Sequence, residues 1–198
     1  SQSYIDFEVH FREMEHEGSV LIYEDSKVKV SAFPLHHRIS TYGFRFDEMT
    51  SGYNIKPEKI KELGLTTDQI KAVKRGDNLL MADGKMILNE EMVYKKTKSR
   101  SYVYCSDTAY DESIVDYISE ADVLYHEATY LSDMVVQAKE RMHSTVQDAA
   151  KIATLAGVGK LVLGHFSTRY LNREDFLIQG KLEFNEVILA EEGKVIEI

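Results

Sequence analysis

From residue 101 onward, short apolar runs alternate with helical patterns, and this alternation constrains the fold more than any other feature. "YVYCSD" (102–107), "ADVLYHE" (121–127) and "KLVLGH" (160–165) read as buried strands. "DESIVDYIS" lies between the first two as a helix, and "HSTVQDAAKIATLAG" (143–157) between the second and third. The second helix reads with Ser144 as N-cap, Gln147 three positions on and Gly157 as its stop. "NREDFLIQGKLEF" predicts a further helix, and "VILA" and "KVIEI" close the chain as strands. Strands joined by helical crossovers pair in parallel, so this half is α/β.

The first 48 residues carry a different pattern. "YIDFEVHF" (4–11) alternates apolar and polar strictly, as a half-buried strand does. "SVLIYEDSKVKVSAF" reads as a hairpin turning at Glu24-Asp25-Ser26, and "RISTYGFRF" as a further strand. An antiparallel portion added to the parallel one gives a mixed sheet. Residues 49–100 interrupt it with two short helical patterns, "KPEKIKELG" and "TTDQIKAVKRG", each ended by Gly, and with an Asp83-Gly84 turn. This segment is expected to project as an inserted arm from one domain spanning 1–198.

Charge sets the arm apart. The chain has a formal net charge of −9, which argues against a general nucleic-acid binder. Residues 56–100 nevertheless hold 11 Lys and Arg against 7 Asp and Glu. A basic face on an acidic protein suits a phosphate-bearing partner, although a solvated surface has the same composition. No apolar stretch reaches the ~18 residues needed to span a bilayer, and no secretory leader pattern is visible. The single Cys105 cannot form an internal disulfide, so a cytoplasmic protein is expected.

Acids and imidazoles recur where the strands end. Asp107 follows the first buried run, His126 and Glu127 end the second, and His165 ends the third. His37 follows "KVKVSAFPLH", and His143 immediately precedes a capped helix. The carboxyl edge of an open α/β sheet is where ligands bind, and His with Asp suits zinc-like ions. Glu127 can orient His143 to give a proton to a leaving oxygen. Arg169 can clamp a phosphate with two parallel hydrogen bonds. Together these point to phosphodiester hydrolysis.

Four blocks carry a resemblance to a known family: "PLHHRISTYGFRFDE" (34–48), "YCSDTAY" (104–110), "ADVLYHEATY" (121–130) and "HSTVQDAAKIATLAGVGKLVLGHFSTRY" (143–170). In this order they resemble ribonuclease Z (tRNase Z) of the metallo-β-lactamase superfamily. The resemblance implies the C-terminal portion of an αββα sandwich and, for the parent protein, two-zinc removal of the 3′ trailer from precursor tRNA. It implies that His37 and His165 each ligate one zinc and that Asp107 bridges both. It assigns Glu127 and His143 to protonation of the leaving group, and Ser167 and Arg169 to the substrate phosphate. His36 is expected to be a bystander and His126 at most an orienting group. Residues 49–100 correspond to the family's protruding tRNA-gripping arm.

Two departures qualify this. The arm's usual Gly-Pro turn is replaced by "GLTTDQIKAVKRGD", and the H-x-H-x-D-H motif is absent from the chain. The expectation is a C-terminal part of a longer protein. Two ligands per zinc should bind weakly, since a catalytic zinc normally has three from protein. The chain alone is therefore expected to be inactive. The sheet face that the absent half would cover should be apolar and drive homodimerisation. Two alternatives stand beside this reading: a phosphodiesterase of the same fold on another substrate, and a non-catalytic binding half-domain.

Overall fold

The structure is a computed structural model that describes residues 7–11, 13–49, 52–94 and 98–198. Strands β1 (Val20–Glu24), β2 (Val28–Leu35) and β3 (Thr41–Glu48) form an antiparallel meander. Asp25 sets the first turn by accepting from the Lys27 and Val28 amides. Phe33 lies across the meander above Gly43, where a Cβ would approach its ring to 2.5 Å. Any larger residue at 43 would displace that core ring.

The chain then leaves the sheet. Helices α1 (Pro57–Leu63) and α2 (Thr67–Arg75), the short hairpin β4 (Leu79–Leu80) and β5 (Met86–Ile87), and α3 (Asn89–Met92) build the inserted arm. Thr66 and Gln69 close a capping box at the start of α2, and Gly64 and Gly76 end the two helices in the left-handed conformation. The arm has its own small core of Ile55, Leu65, Val73, Leu79, Ile87, Met92 and Val93. A bridge between Ile55 and Val93 closes its neck. The segment departs from β3 and returns to the strand hydrogen-bonded beside β3.

That strand, β6 (Ser101–Cys105), begins the α/β half, followed by α4 (Val115–Ile118), β7 (Val123–Glu127), α5 (Val135–Arg141), α6 (Val146–Ala156), β8 (Lys160–Gly164), α7 (Glu174–Gly180) and β9 (Val187–Leu189). The sheet order is β1-β2-β3-β6-β7-β8-β9; β3 and β6 are antiparallel, while β6 to β9 are parallel. Residues of α4, α6 and α7 pack with Phe33, Val103, Leu124, Leu161 and Leu163 in the main core on one face. Pairings Phe44↔Tyr104, Phe46↔Tyr102 and Tyr104↔Tyr125 place half-buried aromatics on the other face.

Three expectations are corrected, and two helices are added. Residues 7–11 form no strand, with Phe7 and Phe11 exposed, while residues 4–6 of the expected strand lie outside the described residues. The alternation found no partner there, because β1 is the edge of the described sheet and turns Leu21 to Glu24 to solvent. "KVIEI" also takes no strand; Ile196 and Ile198 lie beside Tyr102 and Val123, and Lys160 Nζ donates to the Glu197 carbonyl. The cap of α6 is Thr145, whose hydroxyl accepts from the Asp148 amide while the Asp148 side chain bonds back. Ser144 is buried and donates to the Thr108 carbonyl. Finally, α3 and α5 were not anticipated by the sequence pattern.

Candidate metal centre at the carboxyl edge of the sheet

β2, β6, β7 and β8 run in the same direction, so their carboxyl ends share one edge. His37 lies two residues past β2, Asp107 two past β6, Glu127 at the end of β7, and His165 one past β8. His143 enters from the other side, between α5 and α6. Two residues at this edge adopt left-handed backbone without being glycine: Met142 at φ 56° and His165 at φ 58°. Such strain, of order 1 kcal/mol or more each, persists where the surroundings fix it.

Asp107 stands between two imidazoles. One oxygen is 3.9 Å from His37 Nε2 and the other 3.4 Å from His165 Nε2. The opposite nitrogens are engaged elsewhere: His37 Nδ1 donates to the Met142 carbonyl at 2.7 Å, and His165 Nδ1 meets Thr129 Oγ1 at 2.9 Å. Because Thr129 Oγ1 donates to Glu127 Oε2 at 2.8 Å, it accepts from His165. With Nδ1 engaged in this way, each ring turns its Nε2 toward Asp107, as outer partners do for metal-binding histidines.

Glu127 and His143 form the second unit. Glu127 is fully buried, and His143 Nδ1 donates to its Oε1 at 2.7 Å. The Thr108 amide adds a bond to Oε1, and the Thr129 amide and hydroxyl add two to Oε2. Burial alone would raise the Glu127 pKa, but the His143 and Thr108 bonds outweigh it and hold the carboxyl below its usual range. The same bond raises the His143 pKa against the opposing effect of burial. The His143 ring lies 5.1 Å from His37 and 5.4 Å from His165, so three imidazoles form a row.

Two groups of side chains bring ligand atoms within 4.8 Å of one another: His37, Asp107 and His143, and Glu127, His143 and His165. The donors are nitrogen and oxygen, and the orientations above leave Nε2 atoms pointing inward; the set fits a zinc-like ion. The structure thus brings together five of the seven residues singled out. Ser167 is near through its amide, which donates to the Thr129 carbonyl. Arg169 is exposed, over the Tyr130 ring at 5.5 Å and 3.8 Å from Met134 Sδ, and among the described residues it forms no ion pair. His36 is exposed and joins through its backbone, to Thr108 and Ala109. His126 is buried, donates from Nδ1 to the Glu127 carbonyl, and is held below its ordinary pKa by burial.

Sequence reasoning missed Thr108, Thr129 and the Met142 carbonyl. Thr129 was within reach, since it lies in the quoted block "ADVLYHEATY". Nothing in the pattern marked Met142, because its backbone oxygen does the work.

Fold and site together define a protein of metallo-β-lactamase fold. A protein of that description from Bacillus subtilis, YhfI, superposes with a TM-score of 0.58 over 88% of this chain and 52% of its own, at 19% identity. The particular protein to which the chain is similar is ribonuclease Z. Relatives so named from Cytophaga hutchinsonii and Bacteroides thetaiotaomicron are 37% and 36% identical over 98% and 97% of this chain. The short form of human tRNase Z superposes with a TM-score of 0.55 at 28% identity, over 92% of this chain and 48% of that one. The chain spans only about three fifths of the two bacterial relatives, 62% and 61% of their lengths. No family model matches it.

Proposed function

We propose that this chain carries the C-terminal half of the active site of a zinc-dependent endoribonuclease that removes the 3′ trailer from precursor tRNA. The observation that carries the reading is the placement of Asp107 between two inward Nε2 atoms, beside a His143 oriented by a buried carboxylate. His37, Asp107 and His165 would hold two metal ions, Asp107 shared. Bound there, zinc supplies a water nucleophile at neutral pH and polarises the phosphoryl oxygen.

The chain's own residues supply the rest. His143, whose pKa is raised by its bond to Glu127, presents Nε2 as the acid that protonates the departing 3′ oxygen. Glu127 cannot turn away, because two threonines hold its oxygens. Arg169, over the Tyr130 ring, pairs with no carboxylate among the described residues and so is open to a phosphate, and Ser167 lies on the loop between it and His165. The arm, with its excess of Lys and Arg, offers a surface for the tRNA backbone. With two ligands per ion, the 198-residue chain alone binds zinc weakly and does not hydrolyse; further ligands come from the length that the relatives possess in addition.

The test is precursor-tRNA cleavage by the protein extended through its upstream reading frame. His143→Ala is expected to lower kcat by about 10²–10⁴-fold with zinc content unchanged, and Asp107→Ala to remove both zinc and activity. An Asp107→Ala protein that keeps two zinc ions and full cleavage would refute the reading.

A further inference from the structure

We infer that Tyr130 is a positioning residue that holds the Arg169 guanidinium beside His143, ready for the phosphate of the bound RNA. Residues 129–131 follow β7 and residues 167–170 follow β8, and the two segments are tied at both ends. The Ser167 amide donates to the Thr129 carbonyl at 3.1 Å, and the Leu131 amide donates to the Tyr170 hydroxyl at 3.2 Å. A bond from the Tyr170 amide to the Ser167 carbonyl closes the turn that carries Arg169, and the Tyr170 ring packs edge-on against Phe176. Within this frame the Arg169 Cζ lies over the Tyr130 ring, 5.5 Å from its centroid.

The platform is itself fixed to the catalytic unit. The Tyr130 amide donates to the Ser144 carbonyl at 3.3 Å, and its carbonyl accepts from the Val146 amide at 2.8 Å, so it clasps the residues on either side of Thr145. Its ring is 4% exposed and meets the His143 imidazole edge-on, centroids 6.4 Å apart and planes 66° apart. A cation within about 6 Å of a ring face is attracted to it. Stacking uses the face of the guanidinium, whereas its N–H donors lie in the plane and stay open to a phosphate. A carboxylate partner would occupy those donors instead. The only other contact shown for the guanidinium is weak, from Nη1 to Met134 Sδ at 3.8 Å. Without the ring, this exposed side chain would sample many rotamers, and binding would have to order it.

The inference rests on the proposed reading of Arg169 as a phosphate contact. Its test needs neither zinc nor turnover, so an extended wild type that fails to cleave sinks the proposed function and leaves this inference to the outcomes below. The Arg169 side-chain protons would first be assigned by NMR in the 198-residue chain. Seated over the ring face, they are expected upfield of those of free arginine, in wild type and Tyr130→Phe alike. The Kd for precursor tRNA would then be measured on the extended form without zinc. Tyr130→Leu is expected to weaken binding about 2–5-fold, Tyr130→Phe to leave it unchanged, and Arg169→Ala to weaken it at least as much as Tyr130→Leu. In the Arg169→Ala background, Tyr130→Leu is expected to add nothing. An unchanged Kd in Tyr130→Leu, or the same further loss in the Arg169→Ala background, would overturn the inference. So would wild-type Arg169 protons at the shifts of free arginine, a result that holds even where Tyr130→Leu fails to fold.

Discussion

Glu127 accepts four hydrogen bonds on two oxygens while wholly screened from water. Replacing it by Gln turns one acceptor into a donor that faces donors. Glu127→Gln should therefore cost about 1–3 kcal/mol of stability in urea unfolding and drop the His143 pKa, read by NMR titration. Unchanged values of both would refute this account of the pair. His126 gives a pH dependence of its own. Burial lowers its folded pKa below the unfolded value of about 6.5, so the unfolded chain binds the proton first. Stability should fall as pH drops below about 6.5. His143 does not mask this, because its raised pKa means that its contribution is complete below that pH and is lost only as pH rises. Unfolding midpoints at pH 7.0 and 5.5 should differ in wild type and converge in His126→Asn. The residues readable in advance were those that end apolar runs: Asp107, Glu127 and His165. Thr108 and the Met142 carbonyl were not, because their role depends on partners 19 and 105 positions away in the chain.

Among the elements, α6 shows how far pattern reading reaches. Its helical period and its Gly157 stop were plain in the sequence, and the structure places Gly157 in the left-handed cap. The N-cap was misplaced by one residue, because Ser-Thr offers two hydroxyls and tertiary contact decides between them: the Thr108 carbonyl takes Ser144. Thr145→Ala should cost about 1 kcal/mol by breaking the capping box, measured by chemical denaturation. A neutral effect would mean that the helix end is held by its tertiary contacts alone. "YIDFEVHF" and "KVIEI" show the converse, since alternation specifies a face but not a neighbour, and neither segment pairs among the described residues. Helix α5 escaped notice because its seven residues, "VVQAKER", bury only Ala138 and leave a weak periodic signal.

At the scale of the whole molecule, one sheet face bears the helical layer and the other presents half-buried aromatics, Phe44, Phe46, Tyr102, Tyr104 and Tyr125 among them. A face of this kind favours association, and light scattering of the 198-residue chain should report a dimer or larger species; a strictly monomeric chain would contradict this. Under the proposed assignment each ion has two ligands from this chain, fewer than the three that a catalytic zinc normally takes from protein. The most direct measurement compares the 198-residue chain with the form extended through its upstream reading frame, each given zinc and an end-labelled precursor tRNA. The account predicts cleavage on the 3′ side of the discriminator base by the extended form only. Full zinc loading of the extended form without cleavage, or cleavage by the short chain alone, would contradict it.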